Sequence, residues 1–312
     1  MDNVIVMLGP TASGKTRLAV KLAKDINGEI VSADSMQVYK YMDIGTAKPD
    51  EGEMSGIKHY LADEIYPCEE FSVAKFRELA LKYIREILQK GKIPIVVGGT
   101  GLYINSLIYN IKFYDSAIDW DLRNKLKKEA EEKGNMHLHR KLMEIDPEAA
   151  AKIHVNDTKR IIRAIEVYEY ANKPISSLRA ATRTEPPEYG YILIGLTMDR
   201  KKLYERIDQR VDEMFRKGLV EEVKMLKSRG YDKCAVAMQG LGYKEILSYL
   251  RGELTYEEAV NLIKMNTRRY AKRQMTWFRK IENVFWVDVG KYECDSEIIK
   301  YIEDYIAPHC IF

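Results

Sequence analysis

The stretch Asn3-Val4-Ile5-Val6-Met7-Leu8-Gly9-Pro10-Thr11-Ala12-Ser13-Gly14-Lys15-Thr16 decides the fold. Its first six residues are a short apolar run rich in β-branched side chains, which reads as a buried strand. The next eight match G-x-x-x-x-G-K-[ST], and Leu18, Ala19, Leu22 and Ala23 then recur at helical spacing. Strand, glycine loop and helix N-terminus are the context that this phosphate-binding pattern requires. Within Gly9-Pro10-Thr11-Ala12-Ser13-Gly14 the glycines let backbone N–H groups turn inward around phosphate oxygens, and the helix adds its positive dipole end. Lys15 supplies a point charge, and the Thr16 hydroxyl is the candidate ligand for Mg²⁺. By itself the pattern specifies a bound di- or triphosphate and nothing finer.

Outward from this loop, further apolar runs occur at Glu29-Ile30-Val31-Ser32, Ile93-Pro94-Ile95-Val96-Val97, Tyr191 to Leu196 and Val284-Phe285-Trp286-Val287. Near-continuous apolar runs separated by helical patterns read as strands of a parallel sheet covered on both faces. Ligands of such sheets sit at the carboxyl ends of the strands. That places the 9–16 loop, Asp34-Ser35 and Gly99-Thr100 around one crevice. The expected class is α/β, a P-loop NTPase-like parallel sheet flanked by helices, with an all-helical insertion domain. The core should comprise residues 1–112 plus 191–312 and the insertion 113–190, with 183–190 as return linker. Helices are expected over 199–217, 219–229, 242–250 and 256–281, the last beginning at a capping box of Thr255 and Glu258.

Composition narrows the class. The chain has 312 residues, 46% hydrophobic, and a formal net charge of +3, so a packed core is available and overall charge names no partner. No apolar run approaches the roughly 18 residues of a membrane helix, and the N-terminus lacks a basic leader pattern; no membrane association and a cytoplasmic location are expected. The four cysteines are widely spaced, and His137 and His139 lie outside any zinc pattern, so reduced thiols and no structural metal are expected.

A hydrolysing P-loop enzyme needs a strand-end carboxylate for Mg²⁺ and a residue to aim water. The 93–97 run ends in Gly-Gly-Thr with no acid, whereas Asp34 does follow a strand, flanked by hydroxyl and amide groups. Asp34 can serve as a general base, as a helix cap or as an outer-shell Mg²⁺ ligand; the residues alone leave these open. From Lys264 to Lys280 the chain carries seven basic residues and no acidic one, with Tyr270, Trp277 and Phe278 interleaved. This run is either a phosphate-backbone surface or a solvated helix face. Lys159, Arg160 and Arg163 form a second basic cluster. Arg206 and Arg210 share a helix face, and either pair with nearby acids or point at phosphate.

Taken together, the 9–16 motif, Ser-Ala-Asp-Ser-Met-Gln-Val-Tyr at 32–39 and Met-Asp-Ile-Gly-Thr-Ala-Lys-Pro at 42–49 resemble the tRNA dimethylallyltransferases, also called tRNA isopentenyltransferases. His59-Tyr60-Leu61, Val97 to Tyr103, Asn156-Asp157, Leu241 to Glu245 and Thr267 to Phe278 extend the resemblance over nearly the whole chain. It is similar to the bacterial form, without the zinc-finger extension of eukaryotic relatives. The resemblance implies transfer of a dimethylallyl group from dimethylallyl diphosphate to N6 of adenosine 37, just 3′ of the anticodon. The recipients would be tRNAs reading codons that begin with U. It further implies Mg²⁺ as cofactor, a monomer, and a P-loop that holds diphosphate. Residue by residue, it makes Asp34 the base, Thr100 a contact at the reacting centre, and Lys15 and Arg210 the offset for leaving-group charge. It assigns tRNA contacts to Asp34, Ser35, Met36, Gln37, Thr100, Arg123, Lys159, Arg160, Ile161, Ile162 and Arg163. The same holds for Gln239, Gly240, Leu241, Gly242, Tyr243 and Lys244; among the helix cations, Arg268 and Lys272 are expected to touch RNA. Three other readings stand beside it: an adenylate isopentenyltransferase using free nucleotide, a P-loop nucleotide kinase, and a non-catalytic RNA-binding protein switched by nucleotide.

Overall fold

The structure is a computed structural model that describes residues 2–111, 119–181, 185–234 and 236–309. Arg183 and Thr184 of the expected linker lie outside the described residues, as does Cys310. Six strands, β1 (Asn3–Leu8), β2 (Gly28–Ser32), β3 (His59–Tyr60), β4 (Ile93–Gly98), β5 (Gly190–Thr197) and β6 (Phe285–Asp288), form one sheet in the order β3-β2-β4-β1-β5-β6. Every pairing is parallel. β2 is buried at all five residues and β1 at five of six, which is why Val4–Leu8 and Ile30-Val31 run apolar without alternation; buried Glu29 is held by Lys92 at 2.7 Å. β3 has only two residues, too few to leave a periodic signature.

Register positions the site. Leu8, the last residue of β1, pairs with Gly98 of β4 on one side and Gly195 of β5 on the other. Ser32, the last residue of β2, pairs with Val97. Three strand exits therefore end level, and the loops after β1, β2 and β4 open on the same edge. The helix Lys15–Asp25 packs Leu18 and Leu22 against sheet residues Ile5 and Met7, and Ile302 and Ile306 of the helix Asp295–Ile306 join that cluster.

The chain divides into two compact units: Met1–Ile108 with Glu188–Phe312, and Tyr109–Pro187. The second has five helices among its described residues, Trp120–Lys133, Asn135–Ile145, Pro147–Lys152, Thr158–Ala171 and Ile175–Ala181, around a core that includes Leu138, Leu142 and Ile161. In the first unit, the helices expected after the linker run Arg200–Arg216, Leu219–Ser228, Tyr243–Leu250 and Tyr256–Phe278. The capping box forms at Thr255, whose hydroxyl accepts the Glu258 N–H.

One expectation is corrected. Cys68 and Cys234 are joined as a disulfide, their Cα atoms 4.8 Å apart across a sequence separation of 166. Spacing along the chain carries no record of a pair made by tertiary folding. Cys294 is free and exposed. Among the described residues no helix is long and apolar enough to cross a membrane, and no cluster of three metal-ligating side chains occurs.

Candidate active site

The loop after β1 is closed by a residue from the far end of the chain. Gln274, buried on the helix Tyr256–Phe278, accepts the Thr11 N–H at 2.9 Å and donates its amide to the Gly99 carbonyl at 2.9 Å. One side chain thus ties the phosphate loop to the exit of β4. Gly99 and Gly101 permit it, because a Cβ at either would collide with Gln274 or with the Trp277 ring. Sequence reasoning missed Gln274. Its only signal was an amide on the face of the helix that also presents Ala259, Ile263, Ala271 and Phe278, all buried.

Lys15 begins its helix and donates from Nζ to the Pro10 carbonyl at 2.7 Å. Burial lowers its ammonium from 10.5 to about 7; Arg210 pushes the same way and Asp34 opposes. Arg210 reaches the site from the helix Arg200–Arg216, and burial likewise lowers it, opposed by Asp34 and then Glu53 and Glu213. Two half-buried cations thus repel one another, with Asp34 the carboxylate that acts on both. Such a place gains an anion readily. Of the arginine pair read from spacing, Arg210 faces this site and Arg206 is exposed.

Asp34 sits two residues beyond β2, and its Oδ1 accepts the Met36 N–H at 2.9 Å. Thr100 Oγ1 accepts the Ser35 N–H at 3.2 Å, joining the exits of β2 and β4. Burial, then the charge of Asp34, holds the Tyr270 phenol well above its ordinary range, while contacts with Thr100 and Gln274 oppose. Lys15 and Arg210, from two other segments, therefore lie within electrostatic reach of Asp34, and Thr100, from a fourth, is bonded to the residue beside it. Gln37 points away from them and braces the following loop: its Nε2 donates to the carbonyls of Thr46 and Ala47, and its Oε1 accepts from Ser32.

The remaining expected residues divide. Gln239 is exposed, Lys244 half-buried, and Gly240 lies against the Met36 methyl, so this stretch adjoins the 34–37 segment. Leu241 is half-buried, and the Gly242 N–H is capped by Glu245 at 2.9 Å. Tyr243, fully buried, donates its hydroxyl to Glu222 at 2.7 Å; its side chain is not available to a ligand. In the second unit Lys159 and Arg160 are exposed, whereas Ile161 and Ile162 are core residues whose side chains cannot reach RNA. Arg123 forks onto buried Glu166 at 2.8 and 2.9 Å, and Arg163 pairs with the same carboxylate. On the long helix, Lys264 pairs with Asp212 at 2.6 Å and Arg268 with Asp208, so the run is not free of counter-charge. Lys272, like Arg269, Arg273, Arg279 and Lys280, is exposed.

A phosphate loop at the exit of a central parallel strand, two desolvated cations and a carboxylate placed opposite define a P-loop α/β group-transfer enzyme. The model of the family described as IPP transferase matches residues 37–281, and the chain belongs to that family, whose activity is the prenylation of tRNA. A protein of Acetivibrio thermocellus named tRNA dimethylallyltransferase is 66% identical over 312 residues, 100% of both chains. The crystal structure of a full-length tRNA isopentenylpyrophosphate transferase from Bacillus halodurans is 45% identical. It covers 99% of this chain and 96% of its own, with a TM-score of 0.74. A eukaryotic dimethylallyltransferase acting on tRNA is 29% identical, covers 99% of this chain and 80% of its own, and has a TM-score of 0.82.

Proposed function

We propose that the protein moves a dimethylallyl group from dimethylallyl diphosphate to the exocyclic N6 of adenosine 37 in tRNAs reading codons that begin with U. The products are N6-dimethylallyladenosine and diphosphate. The observation that carries the reading is the electrostatic coupling of Asp34 to Lys15 and Arg210 at the mouth of the phosphate loop. A base for the acceptor and a cradle for the leaving group thus lie within electrostatic reach of each other. N6 attacks the allylic carbon bonded to the diphosphate oxygen, and that carbon–oxygen bond breaks. The N6 proton passes to Asp34; with Oδ1 engaged by Met36, Oδ2 is the receiving atom. Lys15, Arg210 and the backbone N–H groups of Gly14, Lys15 and Thr16 at the helix N-terminus take up the charge that develops on the diphosphate. The adenine must leave its stack to reach this depth, as enzymes acting on a base require.

Mg²⁺ fits as the cofactor, because the chain offers one hard oxygen at Thr16, and this ion usually takes few protein ligands together with substrate phosphates and water. It would supply further neutralisation of the diphosphate. Exposed Lys272, Arg273, Arg279, Lys159 and Arg160 are the proposed contacts to the tRNA backbone. We take the enzyme to act as a monomer, in the cytoplasm.

The test is incubation with bulk tRNA and labelled donor, digestion to nucleosides, and comparison of the wild type with Asp34→Ala. Turnover of the variant should fall by roughly 10²–10⁴-fold, the share of a positioned general base. Binding of tRNA should stay within a few-fold. A variant that turns over normally would remove Asp34 as the base; label appearing on free adenosine monophosphate instead of tRNA would replace the acceptor.

A further inference from the structure

We propose that Glu222 is a positioning residue that fixes the spacing between the two segments expected to grip the acceptor nucleotide, 34–37 and 239–244. The inference rests on the proposal that these segments contact tRNA. Glu222 lies on the helix Leu219–Ser228, away from Asp34 in sequence, and is buried. Its carboxylate accepts four hydrogen bonds: the backbone N–H groups of Asp43, Ile44 and Gly45 at 3.0, 2.7 and 3.1 Å, and the Tyr243 hydroxyl at 2.7 Å.

Each bond leads towards one segment. The 43–45 turn continues into Thr46 and Ala47, whose carbonyls hold Gln37. Tyr243 belongs to the second segment itself, and its ring packs so close to Gly45 that any Cβ there would collide with it. The Met36 methyl against Gly240 closes the circuit. A carboxylate is acceptor-only, so it can serve four donors at once. The isosteric amide presents one oxygen and one NH₂, and its NH₂ would face donors it cannot satisfy. Three N–H groups aimed at one point also form a concave anion site, which the chain has filled with its own side chain. Nothing in the four bonds touches a reacting atom, so Glu222 acts through the segments it holds.

The experiment is steady-state kinetics on the full-length chain with tRNA and donor varied separately, for Glu222→Gln and for Tyr243→Phe. The second removes one hydroxyl from the network and keeps a folded protein if the first does not. Glu222→Gln should raise KM for tRNA roughly tenfold, the scale of losing one hydrogen bond to a charged group, with KM for the donor unchanged within about twofold. Tyr243→Phe, which removes one bond to the same carboxylate, should raise KM for tRNA by a factor of similar size, roughly tenfold, in the same selective way. A role in stability alone would lower the melting temperature and leave both KM values where they were at temperatures well below it; that result overturns the proposal. Lys244→Ala and Gln239→Ala, at half-buried and exposed residues of the second segment outside the Glu222 network, run alongside. If these raise KM for tRNA and the Glu222 and Tyr243 variants do not, the positioning role fails while the contact segments stand. If none of the four changes it, the contact segments themselves are wrong.

Discussion

Two sets of cations in this molecule differ in what neutralises them. At the phosphate loop, Lys15 and Arg210 are desolvated and repel one another, and no ion pair engages either among the described residues. On the long helix and in the insertion, Lys264, Arg268, Arg123 and Arg163 are each matched by a carboxylate. A desolvated cation without a carboxylate partner costs free energy, and an anion that binds beside it offsets that cost. A paired one is already satisfied and mainly holds its own element in place. The difference separates residues that wait for a ligand from residues that build the scaffold, although both sets look alike as charge along the chain.

The sharpest way to break that distinction is Lys15→Met. Loss of one preorganised charge at the developing anion should lower kcat by roughly 10²–10³-fold, while tRNA affinity stays within a few-fold. Normal turnover would show that Lys15 is scaffold. Next comes pH. Since the Lys15 ammonium in the empty site titrates at about 7, and a diphosphate prefers the protonated form, donor binding takes up a proton above that pH. KM for the donor should therefore be flat below about 7 and climb towards tenfold per unit above it. Lys15→Arg should abolish the inflection, measured from pH 6 to 9. A third experiment concerns the exposed cations. Lys272→Ala with Arg279→Ala should flatten the dependence of log K on log salt for tRNA binding by between one and two units, if each touches a phosphate. The smallest effect belongs to the paired set: Arg268→Ala should cost about 0.2–1 kcal/mol of stability, read by denaturant unfolding, and leave the salt slope alone. A slope that fell with Arg268 would move it into the ligand-facing group.

The phosphate loop and the sheet are legible in the sequence because their causes are local. Gly9 to Thr16 stands between an apolar run and a helical pattern, the context that loop requires, and runs such as Val4–Leu8 are apolar because both faces of a parallel strand are covered. Asp34 was legible as a candidate because it follows a strand. What the sequence leaves hidden is produced by partners distant along the chain. Asp208 and Asp212 pair with Arg268 and Lys264, and no pattern within residues 264–280 records it. Cys68 and Cys234 meet only after 166 residues have folded around them. Tyr243 and Ile161 sit inside stretches that match the family, yet their side chains are core, since a motif records that a position matters without recording which way it points.

The Thr11–Gln274 bond spans 263 residues. During synthesis at about 5–20 residues per second, the phosphate loop leaves the ribosome tens of seconds before the side chain that closes it. A nascent chain of 250 residues already carries all of the loop and both of its cations, Lys15 and Arg210, but not the brace that fixes Thr11 against Gly99. Donor affinity should therefore arise late and abruptly in ribosome-bound chains of increasing length, as the last long helix docks.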